Sequence, residues 1–199
     1  VWRLPTPLFT AYHPDLCYLA ADGPLSRGPL GHYHSAIAFA AFRCGLTEQQ
    51  ALALYCEDTY QQLGYFDRWA KDREVFIGAF KSFGFEIGPL FTEWTRSGSF
   101  MHSINHPKIH CLRDIAIAIL ERAGKEVNVT DILPHDNLTS GPVFPVYPEI
   151  GTRLGVRGSY LFKPGGAYTV KGLEHYLSDC YRIYRGTTDL TPSMPVFFP

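Results

Sequence analysis

Apolar residues recur at helical spacing in several stretches of the chain, and short apolar runs fall near its start. Between Pro107 and Ala123, the residues Ile109, Leu112, Ala116, Ile119, Leu120 and Ala123 fall on one helical face, and Gly124 supplies a stop. Leu173 to Arg185, followed by Gly186, reads as a second long helix. Trp69, Phe76, Ile77, Phe80 and Phe83 mark a third before Gly84. Thr47 opens a capping box with Gln50, which predicts a helix continuing to about Leu63, where Gly64 ends it. The run from Ser35 to Cys44 is nearly all apolar, as expected of a short central helix closed by Gly45.

Two earlier apolar runs, Pro7 to Phe9 and Leu16 to Ala21, have the length of buried strands. Gly141-Pro142-Val143-Phe144-Pro145-Val146-Tyr147-Pro148 carries three prolines, so it should be a stiff extended segment over the surface or beside a pocket. No repeat, low-complexity tract or long linker interrupts the chain. The expected fold is therefore a helix-rich α/β single domain over residues 1–199, with a small parallel sheet near the amino terminus packed by several helices.

Composition narrows the function classes. The chain has 199 residues, 46% hydrophobic and 19% charged, which is the profile of a packed globular protein. Eighteen basic residues against nineteen acidic ones give a formal charge of -1, so no general attraction to nucleic acid or an anionic membrane is expected. The longest apolar run, Ala36 to Phe42, is far short of the ~20 residues that span a bilayer. Five widely spaced cysteines without a C-x-x-C pair argue against a disulfide framework or zinc cluster and suit a reducing cytoplasm. Asn128-Val129-Thr130 and Asn137-Leu138-Thr139 match the glycosylation pattern, but the motif is too short to carry weight.

The candidate chemistry lies in histidine-bearing loops. His102, His106 and His110 are spaced four apart, as metal ligands on one helix would be, but Pro107 interrupts that helix and should instead begin it. His102 and His106 then precede a helix start whose free N–H groups, with Lys108, suit phosphate better than zinc; no metal is expected. H-E-x-x-H chemistry is also disfavoured, because the spacing from His102 to His106 lacks the glutamate. The structural alternative makes Asn105 or His106 a helix cap and Ser103 a loop hydrogen-bonder.

Tyr12-His13-Pro14-Asp15 sets a carboxylate two residues from an imidazole, so Asp15 could orient a histidine base, or could merely cap a turn. Gly28-Pro29-Leu30-Gly31-His32-Tyr33-His34-Ser35 could cradle a phosphate and bring His34 to a hydroxyl, or could be a plain loop with Ser35 as N-cap. No G-x-S-x-G elbow occurs, and Cys44, Cys56 and Cys111 fall in expected helices as core residues. No nucleophile stands out.

Six segments in order resemble the WcbI family of capsular polysaccharide biosynthesis proteins: residues 11–15, Gly31-His32-Tyr33-His34-Ser35-Ala36, residues 63–69, residues 100–108 through His102-Ser103-Ile104-Asn105-His106-Pro107-Lys108, residues 141–148 and residues 158–163. The resemblance implies a helix-rich α/β protein that binds coenzyme A and acts as an acetyltransferase, passing acetyl from acetyl-CoA to a sugar hydroxyl of a capsular or related polysaccharide. Its partners would be the CoA thioester and a sugar or polysaccharide precursor. Within the matching motifs, His34, His106, His13 and Asp15 are the catalytic candidates, with His34 or His106 as the base. His102, Ser103, Asn105 and Lys108 are the cofactor-binding candidates. The family's Gly-x-Cys-Gln turn does not occur here, and the chain does not begin with methionine, so a WcbI-like domain truncated at its amino terminus is expected. A noncatalytic nucleotide- or sugar-binding module of a glycan-assembly protein is the alternative.

Overall fold

The computed structural model describes residues 3–128 and 132–193. The Asn128-Val129-Thr130 pattern lies partly outside the described residues.

Eight α-helices and three short two-stranded ladders make up the described residues. Strand β1 (Leu16–Cys17) pairs with β3 (His34–Ser35), β2 (Leu19–Ala21) with β6 (Leu190–Pro192), and β4 (Met101–Ser103) with β5 (His106–Pro107). Every ladder is antiparallel, which corrects the expected parallel sheet. Parallel pairing needs a crossover of a dozen or more residues between neighbouring strands, usually a helix, whereas β4 and β5 form a tight hairpin. The early apolar runs are buried by helices and loops, not by a continuous sheet. Pro7 to Phe9 forms no strand; Phe9 is instead the centre of an aromatic cluster.

The helices follow the expected periodicities with informative departures. Helix α1 (Ala36–Arg43) has Ser35 as its N-cap, with Oγ accepting from Ala38 N. The stretch expected as one helix from Thr47 divides into α2 (Glu48–Leu52), with the Thr47–Gln50 capping box, and α3 (Glu57–Gln62). The break turns Tyr55 into the core, where its hydroxyl meets Ser35 Oγ at 2.6 Å. Next come α4 (Arg68–Ser82), α5 (Gly88–Arg96) and α6 (Ile109–Arg122). Pro107 does not open α6: it pairs with Met101, and the helix begins two residues later behind Lys108. A proline favours an extended preceding residue and fits a strand lacking a ladder donor, so β5 absorbs it.

The three-proline segment is extended, with Val143 bridged to Lys163, but it does not lie over the surface. Phe144, Val146 and Tyr147 are buried, and Pro148 opens α7 (Pro148–Leu154). Helix α8 (Leu173–Arg185) closes the core against α1 and α2.

Two aromatic clusters hold these elements together. Phe9 packs against Trp69, Phe76, Phe91 and Phe100 with ring centroids 5.0–5.8 Å apart. Tyr60, Tyr147, Phe144, Phe162 and Tyr176 form the second, with Phe162 and Tyr176 stacked at 3.9 Å. The polar hairpin β4–β5 hangs from the first cluster through Phe100 and through Phe9 N, which donates to Ile104 O at 2.8 Å.

Candidate active site

The β4–β5 hairpin turns at Ile104 and Asn105, and Ile104 is buried, so the turn is anchored rather than free. That anchoring fixes Ser103, Asn105 and His106 around the hydroxyl of Tyr33. The Tyr33 oxygen lies 3.1 Å from Ser103 Oγ, 3.3 Å from Asn105 Oδ1 and 3.1 Å from His106 Nδ1. Ser103 Oγ also donates to Asn105 Oδ1 at 3.3 Å. Burial lowers the His106 pKa below its ordinary value of 6.5, and nearby His102 lowers it further. Neutral imidazole is therefore the resting form near pH 7. Burial also raises the Tyr33 hydroxyl, which keeps it protonated.

Lys108 is the N-cap residue of α6, in extended backbone, and its side chain caps nothing. Asp136 does the capping from a distant loop: Oδ2 accepts from Ile109 N at 3.0 Å and lies 2.8 Å from His102 Nε2, while Oδ1 accepts from Leu138 N. Burial alone would raise the Asp136 pKa, but these hydrogen bonds and the His102 charge hold it below the usual carboxylate value. A carboxylate thus satisfies the first N–H of α6, where the sequence led us to expect an external anion. The Lys108 ammonium makes no hydrogen bond or ion pair among the described residues, and burial lowers its pKa against the opposing pull of Cys111 and Asp136. Its donor set suits a phosphate oxygen.

His13 and Asp15 do not meet. His13 is buried with Nδ1 unpartnered among the described residues, and burial, with Lys108 and His102 nearby, brings its pKa down to about 3. Asp15 faces the other way. Its Oδ1 accepts from Ile37 N at 2.9 Å and from Tyr65 at 3.1 Å, and its Oδ2 accepts from Tyr147 at 2.6 Å. Burial pushes Asp15 up to about 6 despite these donors.

His34 lies apart from the hairpin and is fully buried. Nδ1 is 3.3 Å from the Tyr184 hydroxyl and Nε2 is 3.3 Å from Ser26 O, so both ring nitrogens are engaged, and burial lowers the pKa to about 4. Gly28 explains the glycine-rich loop: a Cβ there would stand 2.7 Å from the His34 ring.

The structure therefore gathers His102, Ser103, Asn105, His106 and Lys108, with His13 within Coulombic reach, and separates Asp15 and His34 from them. Sequence reasoning missed Tyr33 and Asp136 as site residues, because their contacts span 73 and 34 positions and no local spacing announces them. Three cysteines, Cys17, Cys111 and Cys180, are buried, and burial raises each thiol pKa, so none is a thiolate. Among the described residues no group of three His, Cys, Asp or Glu side chains could hold a metal ion. No helix among them is long and apolar enough to cross a membrane.

A family model described as the polysaccharide biosynthesis enzyme WcbI matches residues 1–128, which include the hairpin, Tyr33 and Lys108 but not Asp136. No curated protein matches the chain. One similar solved structure is described as WcbI, a novel polysaccharide biosynthesis enzyme, in native form without a disulfide bond between CoA and a cysteine of that protein. The likeness has a TM-score of 0.62 at 15% identity over 94% of this chain, and it spans 62% of that one. At such low identity it is the fold that the two share.

Proposed function

The chain belongs to the WcbI family of polysaccharide biosynthesis enzymes, and on that premise we propose that it is a coenzyme A-dependent O-acyltransferase, an acetyltransferase in its simplest form, acting on a sugar hydroxyl. The observation that carries this reading is the Tyr33–His106 hydrogen bond. With the Tyr33 proton donated to Asn105 Oδ1, the phenol oxygen can only accept from His106, which puts the imidazole proton on Nδ1. Nε2 then keeps its lone pair, on a ring whose lowered pKa leaves it neutral at pH 7. A neutral, oriented imidazole is what a general base for a hydroxyl requires.

In the proposed reaction Nε2 takes the proton of the sugar hydroxyl as its oxygen attacks the thioester carbonyl. The new C–O bond forms, the C–S bond breaks, and the imidazolium returns the proton to the departing CoA sulfur, giving an ester and free CoA. Asn105 accepts from both Tyr33 and Ser103, and Tyr33 in turn holds the ring. Lys108 supplies a cation for a CoA phosphate. Asp15 and His34 serve as positioning residues, the first fixing the start of α1 and the second supporting the loop at residues 26–31.

Calorimetric titration of the full chain with CoA and acetyl-CoA tests the binding half, and mass spectrometry of sugar acceptors tests transfer. Saturable binding, weakened about tenfold or more by Lys108→Ala, is expected. Failure of both ligands to bind would sink the reading.

A further inference from the structure

A cavity of about 480 Å³ opens beside the Tyr33 cluster, lined by Thr6, Leu8, Tyr18, Leu25, Ile104, Asn105 and Ser193. Asn105 belongs to both places, since the residue that lines the cavity also accepts from Tyr33 and Ser103. Tyr18 belongs to both as well: it lines the cavity, and its ring lies 5.8 Å from that of Tyr33, edge to face. One end of the cavity therefore touches the polar network that holds His106. The apolar part of the lining is Leu8, Leu25 and Ile104, and the two leucines leave 42% and 44% of their surface exposed.

The size and chemistry of the cavity favour one ligand class. Its volume lies within the 300–1,000 Å³ typical of small-molecule sites, and an acetyl group, about the bulk of two waters, would leave most of it empty. A sugar ring there would have to give up several hydrogen bonds to water for leucine and isoleucine surface, which is unfavourable. An alkyl chain gives up none. We propose that this cavity receives the hydrocarbon tail of the acyl group, so that the donor is a CoA thioester of a medium-length aliphatic acid. This inference rests on the acyltransferase reading and names its donor class: the thioester carbonyl lies toward His106 and the tail runs past Asn105 and Tyr18 between Leu8, Leu25 and Ile104.

Calorimetry on the full chain with CoA, acetyl-CoA, butyryl-CoA, hexanoyl-CoA and octanoyl-CoA tests it. Each added methylene should tighten binding by roughly threefold to fourfold until the cavity is filled. Leu25→Trp, at a half-exposed position on the rim, should flatten that series by filling the space. Sodium octanoate provides an arm without CoA: in methyl-labelled protein it should shift the Leu8, Leu25 and Ile104 resonances and not those of Ile115 and Ile150, which are buried elsewhere in the core. Equal affinity for every chain length overturns this inference while leaving CoA binding intact. A Leu25→Trp loss that is the same for CoA and all thioesters also overturns it, by putting the pantetheine arm or the acceptor there instead. Absence of binding by CoA and every thioester overturns the acyltransferase reading and this one together, while an octanoate shift in that case would keep the apolar site alone.

Discussion

The phenol oxygen of Tyr33 lies 3.1 Å from Nδ1 of His106, tying the residue before β3 to the β4–β5 hairpin across 73 positions of sequence. Three acceptors and donors share that one hydroxyl, so its removal would loosen a network rather than a single bond.

Tyr33→Phe should lower kcat for acyl transfer about tenfold to a hundredfold with little change in KM for the thioester, because the ring of His106 loses its orientation while the Lys108 side is untouched. His106→Gln should cost more, about a hundredfold to ten-thousandfold. In the parent protein kcat/KM should rise with pH through an inflection below the ordinary histidine value of 6.5, since burial lowers that pKa. Steady-state kinetics over pH 4 to 9 would decide; an inflection above 6.5 contradicts a half-buried histidine base.

Asp136→Ala should destabilise the protein by about 1–3 kcal/mol in urea unfolding at pH 7, because Ile109 N, Leu138 N and His102 lose their acceptor. The folded pKa of Asp136 is below its ordinary 3.8, so its contribution is present above that value and is lost as pH falls through the folded pKa. Parent and variant should therefore converge toward pH 2. A gap that stays constant from pH 7 down would rule out the charge as its source.

Gly28→Ala places a methyl 2.7 Å from the His34 ring and should cost about 1–3 kcal/mol. The clash is with one side chain, so the double variant with His34→Ala should recover part of the loss. Additive losses in a double-mutant cycle would show that the strain lies elsewhere.

Acid should unfold the protein largely through two buried histidines. His13 and His34 fall to about 3 and 4 in the folded state from an ordinary 6.5, so their contribution is full above pH 6.5 and is lost as pH falls through the folded values. For His34 the loss is on the order of 3 kcal/mol. Asp15 opposes them: raised to about 6 from 3.8, its contribution is present below 3.8 and is lost as pH rises through 6. Two histidines outweigh one carboxyl, so stability should fall between pH 6.5 and 4. His34→Gln should flatten the slope by about one proton in urea titrations at successive pH values, whatever its cost at pH 7.

Much of the helical framework could be read from the sequence. Leu173 to Arg185 is α8 residue for residue, the Thr47–Gln50 box opens α2, and Ser35 caps α1, because each depends on side-chain periodicity or on a bond spanning three positions. Where tertiary burial competed, local reading failed. Tyr55 broke a helix to reach Ser35, and Pro107 went to a strand because Met101 was there to pair with it. The segment bearing His102, Ser103, Asn105, His106 and Lys108 stood out by its histidine spacing, but it reads locally as a loop, whereas pairing of Met101 with Pro107 makes its first part the β4–β5 hairpin.

What the sequence determined by itself was therefore the helical stretches that became α1, α2 with α3, α4, α6 and α8, each encoded in a short window, while α5 and α7 went unread. Only the tertiary structure decided that His34 is buried with both nitrogens engaged and that His106 meets the Tyr33 hydroxyl. It also decided that Asp15 turns from His13 toward Ile37, Tyr65 and Tyr147, and that Asp136 reaches the start of α6. The reason is physical: the cost of burying a polar group falls or rises with the partner it meets, and those partners come from segments far apart in the chain.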